Sequence, residues 1–249
     1  MDAALAKVDR TTKHIAELSE LLSKKRPFRY IFETDEKAGR CSTYAERDEA
    51  VISELTTISY DIVQNLRTAL DYAYWEIVSP FASNERERKN VQFPFSEAAA
   101  RLEEAVKNRL AHRVSDAFFK AVLTLAPHGE PGGNELLYFV HDLAAKDRHR
   151  FPAPVGEYKT LSSDLLRKQI PSFPRGIING SFGNNRRDVA WGIKPLPFLP
   201  DGIVFKREID VPVEVVFAVG PAKDLREMVR TLNAMADEVQ KTIEIIRAA

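Results

Sequence analysis

Met1, Val8, Ile15 and Leu22 recur at every seventh position, with Leu5 and Leu18 on the same stripe, so the chain opens with a helix carrying one apolar seam. At the other end Leu225, Leu232, Val239 and Ile246 repeat that spacing, and Val229, Ala236 and Ile243 form a second line four residues on. Such seams pack either against the body of the chain or against a second copy. About three heptads are short for a coiled coil, which favours packing within the chain over a homodimer through the terminal helices.

Between the first helix and the next, FRYIFETDEKAGRCSTY alternates Phe28, Tyr30 and Phe32 with other residues before a turn at Asp35 to Gly39, the pattern of a short hairpin. From about Tyr44 to Val78 runs a long helical pattern whose broad apolar face includes Ile52, Leu55, Ile62, Leu66, Leu70 and Ile77. Pro80 ends it. Helices follow at about 96–110 and 114–125, and then PHGEPGG breaks the chain before Asn134, which is placed to cap a further helix over 134–151.

After Phe151 the pattern changes, and seven of the chain's 14 prolines fall between Pro152 and Pro200. Three stretches of period two come next: Val189 to Ile193, Ile203 to Ile209, and Val213 to Val219. They suggest an antiparallel meander, with Asp210-Val211-Pro212 as its last tight connection and the N-terminal hairpin as a further member of the same sheet. The elements add up to an α+β fold in a single domain over 1–249. It comprises a helical bundle with a long central helix at about 1–151, a small antiparallel β-meander at about 186–220, and a closing helix at about 222–248.

Composition narrows the classes. Thirty-six basic and 36 acidic residues cancel, so no net field draws the molecule to nucleic acid or an anionic membrane. Cys41 stands alone, which excludes an intramolecular disulfide, and MDAALAKVDR lacks the apolar core of a signal peptide, so the expected location is cytoplasmic. No apolar run reaches the ~18 residues of a membrane span, and no membrane partner is expected.

The helix over 134–151 holds an anomaly. On a wheel of ~100° per residue, Asp147 falls amid Leu136, Val140, Leu143 and Phe151, and a carboxylate there requires a cation, several donors or protonation. His141 and Arg148 share one flank, while Asp142 and His149 lie on the far side. The long second helix offers Arg67 and Asp71 one turn apart at the border of its apolar stripe. These positions predict a clasp of crossed pairs, Arg67 to Asp147 and Asp71 to His141 or Arg148.

NLRTALDYAYWEI, VQFPF and KDRHR occur in that order. In this the chain resembles a group of uncharacterised bacterial proteins marked by an LRSALD-type helix, an FP step and a DKHR-type helix end. The matching positions are Leu66, Arg67, Ala69, Leu70 and Asp71, then Phe93 and Pro94, then Asp147, His149 and Arg150, with Arg148 where the pattern has Lys. The resemblance spans most of the helical half and implies no activity, none being assigned to that group.

The first expectation for function is a binding or association module whose Arg, Asp and His residues hold helices together. The enzyme alternative is a metal-independent ribonuclease of the helical HEPN type, or another phosphodiester-cleaving enzyme of a defence or toxin–antitoxin system, with His141, Arg148 and His149 as catalytic candidates and Arg67, Asp71, Asp147 and Arg150 as binding residues. Against it, Arg148 directly precedes His149, whereas that site needs its His about a turn and a half beyond the Arg. A metal site from His141, Asp142, Asp147 and His149 fails on geometry, because His141 and His149 point about 80° apart on the helix; neither metal nor cofactor is expected. Nucleic acid has two short basic patches to meet, at Arg148 to Arg150 and at Arg186-Arg187 before Trp191, each diluted by aspartates. Tyr72 and Trp75, on the polar side of the long helix, are expected to cover another element of the chain.

Overall fold

The structure, a computed structural model, describes residues 2–35, 40–146, 155–157, 167–168, 206–209, 214–219 and 224–249. These are mostly helical, and the chain divides into two compact units. The first comprises Met1–Glu20, Thr56–Phe151 and Val229–Ala249; the second comprises Leu21–Leu55 and Pro152–Met228.

Helices α1 (Ala3–Lys24) and α2 (Glu49–Val78) contribute to both units, and α3 (Glu85–Lys89), α4 (Ala99–Asn108), α5 (Asp116–Thr124), α6 (Glu135–Ala144) and α7 (Met228–Ala248) are further helices among the described residues. Helix α2 starts at Glu49 rather than near Tyr44, because residues 40–47 are taken up in a strand and Asp48 caps the helix, its carboxylate accepting from the Val51 N–H at 3.2 Å. Its apolar face is covered over most of its length, Ile62, Leu66, Leu70, Ala73, Tyr74 and Val78 each being 0% exposed, while Ile77 near its end is half-buried. Pro80 follows in a single 3₁₀ turn, as the missing N–H requires.

The terminal seams are spent inside the chain. Val8, Ile15 and Leu18 of α1 and Leu232, Val239 and Ile246 of α7 are buried, while Leu5 lies outside its expected stripe and is exposed. Polar ties fix the helix ends within the first unit: Lys7 Nζ donates to Asn65 at 3.1 Å, and Arg247 bridges Asp2 and Glu76. No helix among the described residues is long and apolar enough to cross a membrane.

The hairpin over β1 (Phe28–Asp35) and β2 (Arg40–Arg47) forms as its alternation implies, in the register Phe28 opposite Arg47. Among the described residues the strands expected to form a meander over 186–220 do not pair with one another. Strand β4 (Lys206–Ile209) pairs antiparallel with β1 to make the sheet β2-β1-β4, whereas β5 (Glu214–Val219) lies between β3 (Val155–Glu157) and β6 (Asp224–Glu227) in another sheet. Period two marks a strand with one face in the core but says nothing of its partner, and β1 offers an unpaired edge that a short connection does not compete with. The segment around Trp191 lies outside the described residues. Strand β6 also corrects the closing helix: Leu225 opposes Ala218 in a ladder, so α7 begins at Met228 and not near residue 222. In this second unit Leu21, Phe28, Val51, Leu55, Val215 and Met228 are buried.

Candidate functional site

Pro94 decides the local backbone between α3 and α4. It has no N–H, and it biases Phe93 toward an extended conformation, so the QFPF stretch cannot form a helix and satisfies its peptide groups elsewhere. Phe93 is 1% exposed, which makes the requirement strict. Two side chains of α2 meet it from one helical turn: the Phe93 N–H donates to Asp71 Oδ1 at 2.9 Å, and the Phe93 carbonyl accepts from Arg67 Nη2 at 3.4 Å. Arg67 Nη2 also lies 3.1 Å from Asp71 Oδ1. The ion pair thus grips both polar groups of one residue. Beneath it the Phe93 ring packs edge-on to Tyr74, whose hydroxyl donates to the Arg109 carbonyl at 3.0 Å.

The pair is far from fully solvated, with Arg67 15% and Asp71 27% exposed at the side chain. Burial raises the Asp71 carboxyl above its ordinary value and lowers the Arg67 guanidinium below its own, each against the attraction of the other. Arg67 Nη1 is buried and has no hydrogen-bond acceptor among the described residues.

Phe95, next along the stretch, carries the remaining geometry. Its ring lies 4.5 Å from the Arg67 Cζ, and the His141 imidazole is stacked on it with centroids 4.5 Å apart and planes 6° apart. Tyr138, one turn earlier on α6, meets His141 edge-on at 6.0 Å. Desolvation, then the Arg67 charge, pushes the imidazole down to about 4, so His141 is neutral at pH 7. A neutral ring has one N–H donor and one acceptor, and neither nitrogen is hydrogen-bonded among the described residues.

Helix α6 is short. It ends at Ala144, with the Ala145 N–H returning to the His141 carbonyl at 2.9 Å, and the Ala144 carbonyl accepts from the Gln64 side chain of α2 at 2.9 Å. That amide occupies a carbonyl that a continuing helix needs for its own next turn. The wheel that placed Asp147 on the apolar face extended the helix too far. Asp147, Arg148, His149 and Arg150 lie outside the described residues, so of the residues singled out in the sequence the structure places Arg67, Asp71 and His141. It brings these together around Phe93 and Phe95: among the described residues Arg67 pairs with Asp71 on its own helix and His141 stacks on Phe95, while the expected partners Asp147 and Arg148 lie outside them. Asp142 turns to Lys146 at 2.8 Å. Among the described residues no group of three His, Cys, Asp or Glu side chains is arranged to hold a metal ion.

The loop that opens α6 is built tightly against the same region. Asn134 caps α6 by accepting from the Leu137 N–H at 3.1 Å and donates its own amide to Glu238 of α7 at 2.6 Å. Gly133 lies so close to His128 that a Cβ there would sit 2.1 Å from the His128 carbonyl oxygen, and Gly129 lies under the Tyr138 ring. Both glycines make room by having no side chain. Glu130, instead of repelling a ligand at this helix start, accepts from the Ala99 N–H at 2.9 Å.

Phe95, Tyr138 and Gln64 were not among the positions picked out in the sequence. The proline after Phe93 was the available signal, since a buried extended peptide calls for side-chain partners. Tyr72 and Trp75 are 45% and 47% exposed. Comparison of the chain with family profiles, curated proteins and solved structures found no match.

Proposed function

We propose that this protein acts by binding, and that the Arg67–Asp71 pair is a structural clasp that holds Phe93 and so sets the position of Phe95 and His141. One observation carries this reading: Asp71 Oδ1 and Arg67 Nη2 are both committed to the backbone of Phe93. Groups used in that way position a surface; they are not free to follow a reacting substrate. Phe95, Tyr138 and His141, all half-buried, then form the face that the clasp presents. The test is a pair of measurements on the full chain. Arg67→Ala and Asp71→Ala are expected to lower the melting temperature, and the wild-type protein is expected to leave single-stranded RNA intact.

The phosphodiester-cleaving alternative has a specific observation in its favour: a guanidinium nitrogen without an acceptor and an uncharged imidazole lie against the same ring. Arginine supplies charge stabilisation and neutral histidine proton transfer in that chemistry. RNA cleavage that disappears in His141→Ala or His149→Ala, with melting unchanged, decides for the enzyme.

A further inference from the structure

We infer that the Arg67–Phe95–His141 cluster is a receptor for an oxyanion, the carboxylate or phosphate group of a ligand; the inference rests on the proposed binding role and names the ligand's chemistry.

Arginine presents two nitrogens in a fixed fork that matches two oxygens of an oxyanion. Here the carboxylate of Asp71 takes Nη2, sharing one oxygen between that nitrogen and the Phe93 N–H, and among the described residues Nη1 is left buried without an acceptor. A buried donor of this kind is uncommon and calls for a partner. His141 adds a second donor: its uncharged ring keeps one N–H, and neither nitrogen is hydrogen-bonded among the described residues.

Charge points the same way. Asp71 balances Arg67, and Asp142 is balanced by Lys146. The positive charge of Arg109 is felt at both Arg67 and Asp71, and among the described residues its guanidinium donates to the neutral Asn90 carbonyl alone, at 2.7 Å. The acidic side chains Asp142 and Glu97 act on Tyr138. Among the described residues Arg109 thus adds a positive charge at the Arg67–Asp71 pair, while Asp142 acts on His141. Phe95 lies against the guanidinium and is half-buried, so a ligand reaches Nη1 once its ring turns aside, with His141 kept in place as the second donor. Phe95 is thus a cover, and an apolar one that keeps water from competing for Nη1.

The experiment titrates the folded full chain with inorganic phosphate and, separately, with acetate, followed by calorimetry and by the ring resonances of His141. Saturable binding of one or both probes at up to about 50 mM is expected, and the preferred probe identifies the class of oxyanion. Arg67→Lys keeps the charge and loses the fork, so it is expected to weaken binding at least about tenfold. His141→Ala is expected to weaken it about fivefold through the lost donor, and Phe95→Ala to leave it unchanged or tighter. Should Arg67→Lys not fold, the His141→Ala and Phe95→Ala pair decides the matter. Absence of saturable binding to the wild type, or equal affinity in wild type and His141→Ala, overturns the oxyanion site while leaving the binding role standing. RNA cleavage dependent on His141 overturns the binding role itself.

Discussion

The imidazole of His141 lies flat on the ring of Phe95, 4.5 Å between centroids. This contact joins a helix end to a proline-bent stretch nearly fifty residues earlier, and it leaves the imidazole uncharged at neutral pH. Its energetic signature is therefore a dependence of stability on pH.

His141 titrates near 6.5 in the unfolded chain and at about 4 in the folded one. A histidine whose folded value is depressed binds its proton more readily when unfolded, so the stability it supports is present above about 6.5 and declines as the pH falls toward about 4. A displacement of that size corresponds to at most about 3 kcal/mol, and partial exposure reduces it to about 1–2 kcal/mol. Denaturant unfolding of wild type and His141→Leu between pH 7 and pH 4 is expected to show this decline in the wild type alone.

Asp71→Ala leaves the Phe93 N–H without its acceptor and the Arg67 guanidinium without its counter-charge. The expected loss is about 2–3 kcal/mol, toward the low end for a buried pair because the carboxylate retains some exposure. Arg67→Met combined with Asp71→Ala is expected to cost less than the two single losses together, which a double-mutant cycle by urea unfolding measures.

Two neighbouring glycines are expected to respond differently to alanine. Gly133→Ala drives a methyl group onto the His128 backbone oxygen and is expected to cost about 2–4 kcal/mol, because the obstacle is main chain. Gly132 has open space around it but a φ of +90°, so Gly132→Ala is expected to cost about 1 kcal/mol through backbone strain alone. Thermal melts of the two variants separate steric collision from conformational preference.

Asn134→Asp retains the oxygen that caps α6 while replacing the amide that donates to Glu238 with a second carboxylate. At pH 7 the like charges are expected to destabilise by about 1–2 kcal/mol. That loss shrinks as the pH falls through the carboxylate range, whereas Asn134→Ala, which loses the cap outright, is expected to show no such recovery. Melting curves at pH 7 and pH 4 distinguish the two.

Much of the helical half was legible in the sequence. The stripe through Leu55, Ile62, Leu66 and Leu70 predicted the long central helix, Asn134 predicted a capped helix start, and the alternation around Phe28 to Phe32 predicted the hairpin. Each depends on neighbours along the chain, where periodicity and capping act. The site was half legible. Arg67 and Asp71 were recognised as poorly solvated because they border that stripe, but their shared partner was not, since a single peptide group of Phe93 bears no mark in the sequence beyond the proline behind it. The positions of Asp147, Arg148, His149 and Arg150 lie outside the described residues.

By itself, then, the sequence determined where helices and strands arise and which polar side chains border the apolar face of α2, because a repeat of apolar positions selects its element through local geometry. Tertiary structure alone decided that β4 joins β1 while β5 joins β3 and β6, that α6 stops at Ala144 where Gln64 takes its carbonyl, and that His141 meets Phe95. Those outcomes depend on groups far apart in the chain competing for the same hydrogen bonds and the same buried surface, a competition settled only when the elements pack.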